Sequence, residues 1–187
     1  MHRNQSAGLQ IFLNVRRNFF GIFLKDNNNC IYMNIKITKA TIKDIIGIIE
    51  MIKQICDYHC NFDKYYKPFS EYNNLEKEVS GSLKNKNTIV LLAKLNKKII
   101  GYCVGGVESA PSYAPKIKIG YIYTVIISNE YRGKGVGKKI LDELMQWFNE
   151  KNIKNIELEV DARNKLGIDF WKNNNFFTYR LKMRRDL

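Results

Sequence analysis

This sequence is poor in metal ligands and in paired cysteines. It has two histidines and four cysteines, Cys30, Cys56, Cys60 and Cys103, with no Cys-x-x-Cys pair. Cys56 and Cys60 lie four apart on a predicted helix, a spacing that does not make a zinc site, so no metal is expected. Reduced thiols in the cytoplasm fit this usage. Long apolar runs are also missing. Residues 11–15 and 19–24 are apolar, but Arg16 and Arg17 divide them, and a membrane helix needs about 20 residues. No small-residue cleavage site follows, which argues against a secretory signal. The stretch up to Lys25 has arginines and no acids, so a transit peptide stays open beside a plain extension. Residues 1–32 are read as that extension and residues 33–187 as one domain.

Acidic residues are scarce too: 18 against 31 Lys and Arg, a net charge of +13. A basic excess of this size suits nucleic acid or another polyanion, or a lysine-rich solvated surface. At 45% hydrophobic, the chain can bury a core and is not expected to be disordered.

Periodicity begins near Met33. Residues 34–38 alternate as a strand. Thr41 caps a helix with Asp44 three residues on, and Ile45, Ile46, Ile49, Ile52 and Ile55 continue its apolar stripe. A loop over 61–69 holds Asp63, Tyr65, Tyr66 and Pro68, and Ser70 is expected to cap a second helix toward Leu83. Residues 88–95 and 99–107 read as a hairpin around Asn96-Lys97. A loop with Pro111 and Pro115 leads to a strand over 119–127, a glycine-rich turn and a helix through Ile140, Leu141, Leu144, Met145 and Phe148. A strand over 156–160, a short helix over 165–172 and a last strand over 176–183 complete the order βααβββαβαβ.

The glycine-rich turn is Arg132-Gly133-Lys134-Gly135-Val136-Gly137-Lys138-Lys139. A strand that enters such a turn and opens a helix makes an anion site. Glycine lets the backbone approach closely, and the first N–H groups of the helix have no partners. The Walker pattern fails, because Arg132 stands where its first Gly belongs and Lys139 where Ser or Thr would hold magnesium. The dinucleotide pattern fails on the spacing of the three glycines. Arg-x-x-Gly-x-Gly, from Arg132 through Gly135 to Gly137, resembles the acetyl-coenzyme A motif of the GNAT (Gcn5-related N-acetyltransferase) superfamily. A second block agrees: Leu158-Glu159-Val160, then Asn164, Phe170-Trp171 and Asn175-Phe176.

The resemblance covers residues 33–187. It implies a single α/β (α+β) domain with a mixed, mostly antiparallel central sheet, splayed strands and flanking helices. It implies acetyl-coenzyme A as cosubstrate, with no metal. The backbone of Arg132, Gly133, Lys134, Gly135, Val136, Gly137 and Lys138 would hold the pyrophosphate. The backbone of Val125, Ile126 and Ile127 would pair with the pantetheine arm like an added strand, and Asn164 would hydrogen-bond it. Trp171 replaces the family tyrosine that protonates the leaving thiolate. An indole N–H is no acid near neutral pH, so Trp171 reads as a packing wall beside the thioester.

The implied chemistry is direct attack of an amine on a thioester, with a base, an oxyanion donor and a departing thiolate. The donor is expected to be a backbone N–H near Ile126. Positions where many relatives carry a carboxylate hold Tyr121 and Tyr123, which share a strand face. The remaining candidate base is Glu159, five residues before Asn164, with Glu108 behind it. His59 and Asp63 lie where the acceptor groove would close. The expected function is an acetyl-coenzyme A-dependent N-acetyltransferase acting on a protein N-terminus, a lysine or a small amine. The alternative from another class is a non-catalytic acyl-coenzyme A-binding sensor, and a basic nucleic-acid-binding protein is the third reading. No membrane partner is expected, and a homodimer is left open.

Overall fold

A computed structural model describes residues 19–26, 29–60, 63, 65–110 and 117–185, with side chains described from residue 34. Its elements are β1 (Phe19–Asp26), β2 (Asn29–Lys39), α1 (Ile45–Cys60), α2 (Leu75–Lys84), β3 (Thr88–Leu95), β4 (Lys98–Ser109), β5 (Lys118–Ile127), α3 (Val136–Glu150), β6 (Ile156–Leu158) and α4 (Lys165–Asn173). The six strands form one sheet in the order β1-β2-β3-β4-β5-β6. All neighbours run antiparallel except β5 and β6, which are parallel.

Period-2 alternation sorts the strand residues to two faces. On one, Ile35, Leu91, Ala93, Cys103 and Ile122 meet Ile140, Leu141, Leu144 and Phe148 of α3. On the other, Val90, Leu92, Tyr102, Val104 and Ile126 meet Ile48 and Met51 of α1 and Val79 of α2. The α3 stripe read from the sequence is its buried row, with Met145 half-buried beside it. In α1 the buried row is instead Ile48, Met51 and Cys56, while Ile45, Ile49, Ile52 and Ile55 are half-buried and Ile46 is exposed. Asp44 accepts from the backbone N–H and the hydroxyl of Thr41, each at 2.9 Å, as the cap pattern requires. The β3–β4 turn has Asn96 at a positive φ of 55°, which suits asparagine.

Several boundaries differ from the sequence reading. β2 is continuous from Asn29, so the boundary drawn at 32/33 falls inside a strand, and β1 pairs along it from Phe19↔Lys36 to Asp26↔Asn29. The second helix starts at Leu75 with Asn74 as its N-cap; Ser70 lies instead in a single 3-10 turn over Phe69–Glu71. The last strand expected over 176–183 is not a strand. That segment makes no sheet pairing, and Phe177, Leu181 and Met183 are more than four-fifths exposed. Alternation confers only the propensity for a strand; a partner edge decides. Here the segment is tied by charge, Arg184 to Asp63 at 2.8 Å and Lys182 to Glu159 at 3.6 Å.

Two irregularities shape the site. The β4–β5 register passes from Val104↔Thr124 to Gly105↔Ile122, so Tyr123 is an extra residue in β5. Such a bulge reverses the faces beyond it and bends the strand. Parallel pairing of β5 with β6 covers only Gly120, Tyr121 and Ile122. β5 runs five residues further to Ile127, while β6 stops at Leu158 rather than at the expected Val160. The two strands therefore diverge, and the backbone edge of β5 beyond Ile122 has no strand beside it on that side among the described residues.

Candidate active site

The turn after β5 is built by its glycines. Gly133 and Gly135 have φ of +70° and +78°, a region costly for residues with a side chain. Beyond the adjacent residues of the chain, no protein atom lies within 4 Å of where a Cβ would stand on either, so their outer faces are open. Gly135 is also the N-cap of α3 and supplies no side-chain acceptor, which leaves the first N–H groups of a 15-residue helix directed outward. Arg132 folds back: its Nε–H donates to the carbonyl of Ile127 at 3.0 Å, fixing the turn to the end of β5. Lys134 lies near the ring of Tyr131, and Lys138 pairs with Asp142 one turn along the helix.

Asn164 caps α4, with Oδ1 accepting from the Gly167 N–H at 2.9 Å. The same oxygen accepts from the Tyr58 hydroxyl of α1 at 3.0 Å. Both donors require an oxygen, so they fix the orientation of the amide and leave its NH2 for other acceptors. Trp171 packs edge-on against Phe170 and Phe176, with ring centroids 4.9 and 5.2 Å away, and joins the α3-side core.

Tyr121 and Tyr123 lie side by side, centroids 5.2 Å apart, on the sheet face opposite Ile122. The ring of Tyr123 lies over Gly106, where a Cβ would stand 2.7 Å from it, so only glycine admits that approach. Its hydroxyl donates to Glu108 Oε1 at 2.6 Å. Burial and then the Glu108 carboxylate push the Tyr123 phenol up to about 12. Burial, followed by the charges of Glu159, Glu108 and Glu157, raises Tyr121 as well. Both phenols therefore stay protonated near neutral pH and serve as hydrogen-bond donors. Glu159 follows the end of β6 and is 71% exposed, with Lys182 at 3.6 Å. In a chain of net charge +13, this floor collects three carboxylates.

The α1–α2 loop is held to the β6–α4 loop by ion pairs. The Asp63 carboxylate accepts from the Tyr65 N–H at 3.1 Å, from Arg163 at 3.1 Å and from Arg184 at 2.8 Å. Those bonds, the backbone one foremost, hold its carboxyl below the usual range. Arg163 also grips Asp161 at 2.7 Å and lowers that carboxyl to about 2. Asp63 is thus committed to two arginines rather than presented to an acceptor. His59 stacks on Tyr66 at 4.8 Å, and burial lowers its pKa against the opposing pull of Asp161. Sequence reasoning missed Tyr58, Glu157 and Arg184. Each acts across a sequence gap that carries no local signal; for Tyr58 the gap to Asn164 is 106 residues.

Among the described residues, no helix is long and apolar enough to cross a membrane, and no group of three or more His, Cys, Asp or Glu gathers as metal ligands. Several solved structures share the fold. The BH1408 protein of Bacillus halodurans superposes with a TM-score of 0.72 at 20% identity, over 81% of this chain and 99% of that one. A predicted acetyltransferase with acetyl-CoA from Clostridium acetobutylicum gives 0.65 at 22% identity, over 81% and 96%. The aminoglycoside N-acetyltransferase AAC(6')-Iy in complex with CoA gives 0.67 at 13% identity, over 82% and 95%. The expected open, mostly antiparallel sheet with flanking helices is the fold of these proteins. Residues 45–176, which include the glycine turn, Asn164 and the tyrosine floor, match the profile of the Acetyltransferase (GNAT) family, and the chain belongs to that family.

Proposed function

We propose that this protein is an acetyl-CoA-dependent N-acetyltransferase that acetylates a primary amine by direct attack on the thioester. The observation that carries the reading is the left-handed turn at Gly133 and Gly135, open on its outer side, where the unpaired edge of β5 meets the N-terminus of α3. A pyrophosphate fits outward N–H groups at a helix start. An amide-bearing arm fits a free strand edge, with the Asn164 NH2 as donor to one of its carbonyls. The structural relatives that carry CoA or acetyl-CoA support the same reading. The cytoplasm is the proposed site of action, consistent with free thiols at Cys56, Cys60 and Cys103.

For the amine, the reading uses the floor of Tyr121, Tyr123, Glu108, Glu157 and Glu159. Carboxylates beside protonated phenols favour a cationic ammonium over an anionic acceptor. Glu159, through a water, takes a proton from the ammonium. The freed lone pair attacks the thioester carbonyl carbon, and a backbone N–H near Ile126 receives the developing oxyanion. Collapse breaks the C–S bond, the thiolate leaves, and the nitrogen gives up its second proton as the amide forms. Trp171 cannot protonate the thiolate, so the reading draws that proton from solvent.

The experiment is a set of amines incubated with acetyl-CoA and followed by thiol release: a peptide N-terminus, a lysine peptide, a polyamine, an aminoglycoside and an anionic amino sugar. Release with one or more cationic amines and none with the anionic one is expected. The sensor reading rests on Trp171 and on the strand positions held by tyrosines. CoA binding with no thiol release from any amine would favour it.

A further inference from the structure

Tyr58 lies two residues before the end of α1, is half-buried, and touches both Arg132 of the glycine turn and the Asn164 cap of α4. Its hydroxyl donates to Asn164 Oδ1 at 3.0 Å. Its ring carries the Arg132 guanidinium, whose Cζ lies 5.2 Å from the ring centroid. Arg132 in turn donates to the Ile127 carbonyl at 3.0 Å. One side chain of α1 thus ties together the end of β5, the glycine turn and the start of α4.

The chemistry at Asn164 decides what this contact does. The Gly167 N–H would be satisfied by Asn164 alone, as an ordinary helix cap. The Tyr58 hydroxyl fills the second acceptor site of the same oxygen. With both bonds made to its oxygen, the amide cannot turn that oxygen toward a ligand without breaking them, and its two N–H donors are left for other acceptors. A ligand with amide carbonyls meets a fixed donor instead of an amide free to present either end. The cation–π contact adds to this by holding Arg132 in its folded-back pose.

We infer that Tyr58 is a positioning residue for the cosubstrate: its hydroxyl sets the Asn164 amide for the pantetheine arm, and its ring holds Arg132 for the pyrophosphate turn. The inference rests on the proposed binding of CoA by these residues. It predicts a division by ligand fragment. Adenosine 3′,5′-bisphosphate has the nucleotide end of CoA and no pantetheine, so the hydroxyl affects CoA alone while the ring affects both.

The test is calorimetric titration of the full chain, Tyr58→Phe, Tyr58→Leu, Asn164→Ala and the double variant Tyr58→Phe/Asn164→Ala with CoA and with the bisphosphate. Tyr58→Phe should weaken CoA about three- to tenfold, the range of one hydrogen bond, and leave the bisphosphate unchanged. Tyr58→Leu should weaken both. In the Asn164→Ala background, Tyr58→Phe should cost nothing more for CoA, because the group it positions is gone. Three outcomes overturn the inference: CoA affinity of Tyr58→Phe within twofold of the parent, equal losses for CoA and the bisphosphate in Tyr58→Phe, or additive losses in the double variant. If the parent binds neither ligand, the CoA reading fails first. If it binds both and Tyr58→Phe behaves like the parent, only the role of Tyr58 fails.

Discussion

The two sides of the splayed sheet are made of different material. The side toward α3 and α4 is backbone: a left-handed turn at Gly133 and Gly135, the outward N–H groups of α3 and a strand edge that loses its partner after Ile122. The side toward α1 is side chains: Tyr121 and Tyr123 as a floor, three carboxylates around them, and Asp63 tied to Arg163 and Arg184. A backbone site takes the one feature that every use of a cosubstrate shares. A side-chain site takes what varies. This difference says which half the fold fixes and which half a few substitutions could redirect to another amine.

The comparison breaks most visibly at Glu159. If that carboxylate belongs to the acceptor side alone, Glu159→Gln lowers kcat by about 10²–10⁴ and leaves CoA affinity at the parent value. A parallel loss of CoA affinity would show that the two sides are not separable at this residue.

Asp63→Asn addresses the tie between the loops. Asp63 and Asp161 both have lowered carboxyl pKa values in the fold, Asp161 near 2. A carboxyl depressed by folding adds stability that is fully present above its unfolded pKa, about 3.9, and is lost as pH falls through the folded value. The parent should therefore lose melting temperature between about pH 4 and pH 2, and Asp63→Asn should start lower at pH 7 and lose less over that window. The acceptor KM should rise while CoA affinity holds. Equal acid losses in both proteins would remove Asp63 from the account.

How much of this was legible in the sequence follows the same division. Arg132, Gly135, Gly137 and Asn164 lie in short patterns because a turn and a helix cap need particular residues at fixed spacing. The buried row of α3 was legible because one face of a helix repeats; in α1, isoleucines on several faces hid the row of Ile48, Met51 and Cys56. The bulge at Tyr123, the Tyr58–Asn164 bond and the Asp63–Arg184 pair join residues far apart in sequence, and no local spacing encodes them. The segment after Asn175 shows the opposite failure. Its alternation of Phe177, Tyr179 and Leu181 with Thr178, Arg180 and Lys182 favours a strand, but ion pairs hold it where no strand edge receives it.

Smaller effects sharpen the comparison. Tyr123→Phe removes a phenol that is held protonated and donates to Glu108. Its kcat should fall less than about tenfold, the loss of one hydrogen bond; a hundredfold fall would make Tyr123 part of the chemistry. The smallest effect belongs to the N-terminus. A chain beginning at Met33 loses β1 but keeps Ile35 and Ile37 in the core and the β2–β3 pairing from Ile35 to Lys39. It should fold and bind CoA like the full chain, and insoluble protein would show that β1 is needed to complete the sheet.

The central claim is that the turn from Arg132 to Gly137 holds the pyrophosphate of CoA by its backbone. Gly135→Glu forces a side chain onto a left-handed residue and aims a carboxylate into the open side of that turn. The direct measurement is the melting temperature of the parent and of Gly135→Glu with and without CoA. At about 100 times its Kd, a ligand adds about 2.7 kcal/mol, which for a chain of this size is a rise of about 5–10 °C. The account predicts that rise in the parent and none in Gly135→Glu at the same concentration. An equal rise in both proteins, or none in the parent at millimolar CoA, would contradict it.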